Sequence, residues 1–326
     1  MKYGNSLYTL VLLLTLIHPR ISWGQDIVTF GDVEAMARAG SANATDNSAI
    51  TMNPATMALA QRYEIQGHLW ITKGPDTSLA VGITDSKTSL VALGLVYQRQ
   101  RIEGGQDSRE WPGWVTSGAD YARRKRFDNV TLALAVPVLE RRLSFGLNGT
   151  LASYRHDVQG KGFSGNMDFG ISGRPVDFFT MGISGRNLLP VSGCKNTQDS
   201  RPCIPDFDSG LLIGMYLGTP DFGSLGLDID VHFTQADEGP PVSIRTGFQK
   251  AINKFNARAG YRWEGPTSEH WISLGFGMIE KNTGLGYAIS IPLHPKPWDP
   301  LEMTHTITFR VAGIGSGPAS EQPPGF

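Results

Sequence analysis

The sequence predicts an all-β fold, a 14-stranded antiparallel transmembrane β-barrel with a short N-terminal plug segment. Three observations predict it. Apolar and polar side chains alternate along successive runs, the connections between runs are alternately long and short, and aromatic residues are sorted by strand end. Transmembrane barrels show all three features, because each strand has one face in lipid and the other in the lumen.

The alternating runs begin after residue 62 and are separated by turn residues. The 14 runs cover residues 63–72, 77–84, 88–102, 122–138, 143–157, 163–174, 179–189, 208–220, 223–236, 242–250, 255–265, 270–280, 284–293 and 302–312. In the ninth run the apolar face carries Leu225, Leu227, Ile229, Val231 and Phe233, and the polar face carries Gly226, Asp228, Asp230, His232 and Thr234. A slip of one residue would move Asp228 and Asp230 into lipid, so the pattern specifies the register.

The connections distinguish a barrel from a soluble β-sandwich, the main alternative, whose strands alternate in the same way. Residues 103–121, 190–207 and 294–301 form long connections on one side. The connections on the other side are tight turns such as residues 85–87 and 221–222. Long loops on one side and short turns on the other are the arrangement of outer-membrane barrels.

The aromatic residues give a further check when the first strand is taken to run outward. The outer strand ends then carry Tyr97, Phe233, Tyr261 and Trp263, and the periplasmic ends carry Tyr63, Phe145, Phe248, Phe255 and Phe309, all on apolar faces. Two aromatic belts around an aliphatic band mark the two lipid interfaces of a barrel. A soluble sandwich has no physical reason to sort its aromatic side chains by strand end.

The first residues predict a secretory signal peptide, residues 1–24. Lys2 precedes an apolar run at residues 7–17, and small residues follow it before the expected cleavage site. A retained membrane anchor is the alternative, but a spanning helix needs about 20 apolar residues. Behind the signal peptide we expect the plug at residues 25–62, the barrel at residues 63–312 and a Pro/Gly-rich periplasmic tail at residues 313–326. Export followed by barrel formation predicts the outer membrane of a Gram-negative type bacterium.

Two cysteines, Cys194 and Cys203, occur in a polar stretch that we expect to be irregular. In an oxidising compartment such a pair can form a lasting disulfide, which would close a loop. The alternative, a metal or redox pair, lacks further ligands and the usual spacing. We therefore predict a disulfide between Cys194 and Cys203.

The composition bears on several function classes. A net charge of −1 gives no case for nucleic-acid binding, which needs a strongly basic face. Asp228 and His232 lie too far apart along one strand to share a metal ion, at about 3.3 Å per residue. The sequence carries no nucleophile elbow, phosphate loop or zinc spacing, so we expect no enzyme, no metal site and no cofactor.

The segment before the first run resembles the N-terminal signature of the FadL-like superfamily of long-chain fatty-acid transporters. PorV/PorQ-like barrels share this signature. The matching residues are Gly40, Asp46, Asn53, Pro54 and Ala55, with Thr56 where a glycine is usual. Asn53 is a suitable N-cap and Pro54 a suitable first helical residue, so a short helix is expected next. The resemblance implies 14 strands and a hatch inside the lumen, whereas an exposed periplasmic linker is the alternative.

Projected inward, the polar faces place Asp228, Asp230, His232, Arg245, Arg258 and Arg262 on three neighbouring strands. We expect the three arginines to face the two aspartates. The cluster would then form a polar constriction or a site for a ligand carboxylate, or it would be part of an ordinary solvated lumen. The resemblance implies passive transfer of a hydrophobic or amphipathic small molecule across the outer membrane. The alternative is a non-transporting scaffold that docks secreted or surface proteins, and outer-membrane lipid is an expected partner of either.

Overall fold

The computed structural model describes residues 29–42, 46–71, 77–103, 124–156, 160–189, 191–194, 209–219, 221–233, 240–280, 282–293 and 303–312. The strands are β1 (Tyr63–Ile71), β2 (Thr77–Asp85), β3 (Ala92–Glu103), β4 (Arg124–Val138), β5 (Leu143–His156), β6 (Gly160–Val176), β7 (Phe179–Arg186), β8 (Val191–Cys194), β9 (Gly210–Thr219), β10 (Gly223–His232), β11 (Val242–Ile252), β12 (Phe255–Glu264), β13 (Glu269–Glu280), β14 (Thr283–Pro292) and β15 (Thr304–Ala312). Before them come helix α1 (Gly31–Ala35), helix α2 (Ala49–Met52) and a 3₁₀ helix (Pro54–Ala58). None of the helices within these ranges is long and apolar enough to cross a bilayer.

Fourteen of the strands close into one antiparallel barrel, as the sequence predicts. Each strand pairs with its neighbours along the chain, and the first and last strands pair through contacts from Glu64 opposite Ala312 to Ile71 opposite His305. Strand β8 is the additional one, lying against the beginning of β6. Closure is required in lipid, because an open edge would leave each backbone N–H and C=O unpaired at a cost of several kcal/mol.

Alternation sorts the side chains between the two faces of the barrel wall. On β10, Leu225 and Leu227 turn outward, whereas Asp228 and Asp230 turn inward and are fully buried. The same alternation runs along the other barrel strands, so the outer surface is a band of exposed aliphatic side chains. Such a surface is unstable in water and suits the hydrocarbon of a membrane.

The aromatic residues expected at the two lipid interfaces all lie on the outward face and are exposed or half-exposed. Tyr97 and Tyr261 lie towards the outer ends of β3 and β12. Phe145 and Phe255 lie at the beginnings of β5 and β12, close to the short turns that precede these strands. The two belts predicted from the sequence are therefore present, with an aliphatic band between them.

The seventh run, residues 179–189, forms the single strand β7, which ends at Arg186, three residues earlier than predicted. The connection predicted after it contains the short strand β8, which continues along β6 in the same direction. Gly185 pairs with Phe169 and Val191 pairs with Gly165, so the chain has two more residues between these pairs than β6 has. Asn187 absorbs the irregularity with a positive φ of 53°, a conformation that asparagine tolerates better than most residues.

Strand β8 also changes the expected surroundings of the cysteines. Cys194 is the last residue of β8 rather than part of an irregular stretch, so that expectation was wrong. Cys203 lies outside the described residues, and the disulfide stays a prediction. The signal peptide, the tail after residue 312 and most of the three long outer connections lie outside the described residues as well.

Replacing Leu132 with Arg should lower the free energy of unfolding by about 2–4 kcal/mol, because a charge near the middle of a bilayer is costly. Leu132 is 56% exposed on β4, between the levels of Tyr97 and Phe145. Leu90→Arg is the control, because Leu90 is 86% exposed in the turn before β3. Denaturant unfolding in lipid vesicles measures both variants. Equal losses would contradict the assignment of this face to lipid.

Candidate functional site: the plug and the lumen

The segment before β1 lies inside the barrel. Almost all of its described residues are buried, and Phe30, Ile50 and Met57 are completely so. Helix α1 packs on β12 to β15, and the 3₁₀ helix packs on β3 to β7. We call residues 29–42 and 46–62 the plug. Its position is that of a hatch and not of an exposed linker.

Asn53 begins the 3₁₀ helix and fastens it to the wall. Its Oδ1 accepts a hydrogen bond of 3.2 Å from the Ala55 N–H, which is the expected N-cap, and Pro54 is the first helical residue. Its Nδ2 donates 3.0 Å to the Ser172 hydroxyl on β6. Thr56, at the position where the signature has glycine, donates from its hydroxyl to the Asn53 carbonyl at 2.9 Å. The substitution therefore adds a hydrogen bond to the start of this helix.

Gly40 connects the other half of the plug to β10. The N–H groups of Gly40 and Ser41 donate 3.0 and 2.9 Å to one carboxylate oxygen of Asp228, and the Ser41 hydroxyl donates 2.8 Å to the other. Asp228 is fully buried, so its charge is balanced by these three donors instead of by water. Asp228 thus holds the plug in place.

Asp46 organises the turn that leads into α2. Its Oδ1 accepts 2.9 Å from the Ser48 N–H, and its carbonyl accepts 2.5 Å from the Arg62 guanidinium. Burial raises the pKa of the Asp46 carboxyl, and the carboxylate of Asp32 adds to the rise. The next residue, Asn47, donates its N–H to Gln66 on β1 at 2.8 Å. Asp46 is therefore a structural residue of the plug.

A ring of glycines makes room for the plug. Each of ten strands has one inward-facing glycine that lies close to the plug, so that an added Cβ would come within 3.0 Å of a plug atom. These glycines are Gly82, Gly94, Gly146, Gly170, Gly182, Gly214, Gly226, Gly247, Gly260 and Gly275. At two of these glycines the plug backbone itself comes closest to the strand. A Cβ on Gly146 would lie 2.3 Å from the Ala55 nitrogen, and one on Gly260 would lie 2.3 Å from the Met36 carbonyl carbon. Only glycine allows backbone to approach a strand this closely.

The predicted charge cluster is only partly correct. Asp230 does bind Arg245, at 2.9 Å, and it also binds Arg186 on β7. Arg262 instead binds Glu264 at 3.2 Å, and Arg245 also reaches Glu264 at 3.4 Å. The expected pairing of Arg262 with an aspartate was therefore wrong. Alternation places all these side chains on one face, but it does not say which of them meet across tilted strands.

Arg258 also departs from the expected pairing, because its partner is in the plug. It binds Asp32 of α1 at 2.8 Å, and Arg310 lies 3.8 Å from the same carboxylate. Burial alone would raise the pKa of Glu34, but the charges of Arg38 and Arg262 and the Thr29 hydroxyl lower it to about 2. The acidic residues of α1 thus join the plug electrostatically to the wall.

His232 lies at the edge of the charge cluster. Its Nε2 is 2.9 Å from the Ser243 hydroxyl and 4.0 Å from Asp230. Asp230, Arg245 and Arg262 are at most 7% exposed, so the expectation of an ordinary solvated lumen does not hold for this part of it. Within the described ranges no three metal-ligating side chains come together.

The lumen wall across from the charge cluster is apolar in part. Trp70, Val96 and Phe127 turn inward from β1, β3 and β4 and are buried. They lie beside uncharged polar groups, among them Gln98, which hydrogen-bonds the Ser78 hydroxyl at 3.2 Å. The interior of the barrel therefore has an apolar and amide-lined side, where Trp70 and Val96 cluster with plug residues, and a side lined by arginines and carboxylates.

Comparisons with known proteins agree with this architecture. No protein-family profile and no curated protein matches the sequence. The toluene transporter TodX of Pseudomonas putida superposes with a TM-score of 0.61 at 12% identity, over 89% of this chain and 98% of its own. The toluene transporter TbuX of Ralstonia pickettii gives 0.60 at 14% identity, over 88% and 97%. A FadL homologue of Pseudomonas aeruginosa gives 0.57 at 12% identity, over 89% and 98%.

The chain has the fold of these proteins. At such low identity the similarity shows the architecture alone, a closed antiparallel 14-stranded barrel, and it agrees with the resemblance found in the plug sequence. Arg186 and Glu264 were not predicted as site residues, although extending the alternation along their strands would have placed both in the lumen. Asp32 and Glu34 carry no comparable signal, because their positions depend on how the plug folds.

Gly146→Ala should destabilise the protein by about 1–3 kcal/mol, because its added methyl group would meet plug backbone that cannot rotate away. Gly149→Ala is the matched control. Gly149 lies on the outward face of the same strand, and its nearest atom is 4.0 Å from an added Cβ. Denaturant unfolding in vesicles compares the two variants. If Gly146→Ala costs no more than Gly149→Ala, the plug does not press on this strand.

Proposed function

We propose that this protein mediates passive transfer of small hydrophobic or amphipathic molecules across the outer membrane. The observation that carries the proposal is the two-sided interior around the plug. Trp70, Val96 and Phe127 make one side apolar, with Trp70 and Val96 clustered with plug residues, and Arg245 makes the other side charged. Binding sites for such molecules are mostly apolar, with a few polar groups that fix orientation. The shared architecture with two toluene transporters supports the same class of cargo.

The polar groups suggest how an amphipathic molecule would orient. Arg186 and Arg245 already share the carboxylate of Asp230. A solute with a polar or acidic end would gain most by turning that end towards these arginines and its apolar body towards Phe127. Guanidinium groups bind carboxylates through two parallel hydrogen bonds, so a carboxylate end suits them well. A purely apolar solute would use the apolar wall alone.

A docking scaffold is the alternative function. It would rest on the outer loops, and its lumen would be closed to solutes. Nothing in the described part of the chain favours it over transfer, so it enters here as the outcome that would replace the proposal.

Uptake of radiolabelled toluene should be faster in cells that produce the protein than in cells carrying the empty vector. Phe127→Gln should slow that uptake several-fold, because burying an amide beside an apolar solute costs about 1–3 kcal/mol. Phe222→Gln is the control, since Phe222 is 82% exposed in a periplasmic turn and away from the lumen. Uptake equal to that of the empty vector would overturn the proposal.

Asp228→Ala should loosen the plug and raise conductance in planar bilayers. A hydrogen bond to a charged group contributes about 1.5–3 kcal/mol, so losing even one of the three raises the open fraction roughly tenfold. Asp221→Ala, in the exposed turn between β9 and β10, is the control and should have no effect. Pro54→Gly and deletion of residues 31–57 should act in the same direction.

A scaffold would give the opposite pattern. Its permeability would not change when the plug is loosened, and it would lose a bound partner when residues 103–121 are removed. That combination would replace transfer by docking as the function of the barrel.

A further inference from the structure

We propose that the inner wall of β4 to β6 binds the hydroxyl group of neutral amphipathic solutes, such as phenols and aliphatic alcohols, on their way to the plug. The inference rests on the proposed transfer function and refines it by naming a class of solute. It arises from three buried asparagines, Asn129, Asn148 and Asn166, whose side-chain oxygens have no hydrogen-bond partner among the described residues. We call these three residues the amide track.

Two of the amides have their nitrogens engaged on the wall. Asn129 Nδ2 donates to Gln98 Oε1 on β3 at 3.1 Å, and Asn166 Nδ2 donates to Asn187 Oδ1 at 2.5 Å. Both asparagines are at most 8% exposed. In the part of the chain that the structure describes, no donor reaches the Oδ1 atom of either residue. Each of them therefore presents a hydrogen-bond acceptor on the inner face of the wall.

Asn148 gives the clearest assignment, because its nitrogen bonds the plug. Its Nδ2 donates 2.8 Å to the Ile50 carbonyl, which can only accept, so the other end of the amide is the oxygen. That oxygen has no partner within the described ranges, although Asn148 is 1% exposed. A buried acceptor without a donor is costly, so a water molecule or a solute has to supply the donor.

The strand register orders the amide track from the outer side towards the plug. Asn166 on β6 lies opposite Thr150, which is two residues further outward on β5 than Asn148. Such diagonal neighbours on one face of a sheet are about 7–8 Å apart. Thr150 lies opposite Thr131, and Asn129 is two residues outward from Thr131 on β4. The three acceptors thus form a path along the inner wall that ends where Asn148 touches the plug.

The acceptors select the polar group of the solute. A hydroxyl carries an O–H that donates to an amide oxygen, whereas a carboxylate, an ether or a hydrocarbon carries no donor. A hydroxyl can also replace a water molecule at such an oxygen without loss of the hydrogen bond, and a hydrocarbon cannot. Asp168 is buried opposite Asn148, and its negative charge disfavours an acid at this place.

A cationic amine also suits the amide track less well than a hydroxyl. Arg186 follows Gly185, which pairs with Phe169, and Phe169 is the neighbour of Asp168 along β6. The charges of Arg186 and Asp168 are close enough to interact. A second cation beside Asp168 would therefore meet the guanidinium of Arg186. A neutral donor avoids both charges.

Apolar surface lies next to the amide track. Phe127 is two residues outward from Asn129 on the same face of β4, and Ala152 lies opposite Asn129 on β5. Both turn inward and are buried. A phenol or an alcohol would place its apolar body against them while its hydroxyl donates to the track. The wall therefore fits both parts of an amphipathic molecule.

Three closely related solutes test the proposal. They are toluene, p-cresol, which adds a hydroxyl to toluene, and 4-methylanisole, in which that hydroxyl is methylated. Uptake of each radiolabelled solute is measured well below saturation, and the empty-vector value is subtracted. In the double variant Asn129→Leu, Asn166→Leu, the ratio of p-cresol uptake to toluene uptake should fall roughly two- to tenfold, the factor for one neutral hydrogen bond. The ratio of 4-methylanisole uptake to toluene uptake should stay the same.

Asn256→Leu is the matched control. Asn256 is an inward, buried asparagine at the beginning of β12, on the opposite side of the barrel. Its ratio of p-cresol uptake to toluene uptake should equal that of the wild type. The use of ratios cancels any general change in permeability that a variant causes, such as a looser plug.

The outcomes separate this proposal from the transfer function on which it rests. If toluene enters faster than in the vector control but the p-cresol ratio is the same in the wild type and the double variant, the amide track does not bind hydroxyls. An equal fall in the ratios of p-cresol and 4-methylanisole would overturn the proposal too, because the variant would then act on shape and not on the donor. Uptake of no solute above the vector control would contradict the transfer function itself.

If the double variant does not fold, as judged by its heat-dependent gel mobility, Ser164→Ala replaces it and Ser273→Ala becomes the control. Both serines are inward and buried. Ser164 lies opposite Ala152, and its hydroxyl has no partner among the described residues, whereas the Ser273 hydroxyl bonds that of Ser290 at 2.7 Å. The p-cresol ratio should fall at least twofold in Ser164→Ala and stay unchanged in Ser273→Ala. Equal ratios in the two variants would overturn the proposal.

Discussion

The close approach of plug backbone to the inner wall is the constraint on which the interior of this barrel depends. A Cβ at Gly146 or Gly260 would overlap plug backbone, so the plug fits only where the strands carry glycine. That fit brings Gly40 and Ser41 within reach of Asp228 and Asp32 within reach of Arg258. The buried charges are thus balanced because the glycines allow the plug to lie against the wall.

The faces of the strands could be predicted from the sequence, but the contacts between their side chains could not. Alternation has a period of two residues, so it assigns Asp230 and Arg262 to the lumen without error. Which residues meet depends on strand register and tilt and on the plug. Arg262 therefore bound Glu264, and Arg258 bound Asp32, where the sequence suggested aspartates of β10. Strand β8 escaped prediction because its four residues are too few to show an alternating pattern.

Local rules worked best where a few neighbouring residues determine the structure. Asn53 and Pro54 start the 3₁₀ helix as capping preferences predict, and no distant contact is needed to explain it. Thr56 departs from the usual glycine, yet its hydroxyl bonds the Asn53 carbonyl within the same turn. The plug signature is therefore a local folding signal. The glycines against which the plug packs are instead spread over ten strands.

The point at which the outward pattern changes from apolar to charged also locates the membrane boundary. Tyr97, Val130 and Leu151 lie side by side on β3, β4 and β5, and all three are suited to lipid. In the next row outward the neighbours are Arg99, Asp128 and Ser153, and in the row after that all three are arginines. Three strands thus change character at one level of the sheet, although they are far apart in sequence. A boundary shared across strands reflects the surrounding medium, because no property of a single strand would align the change.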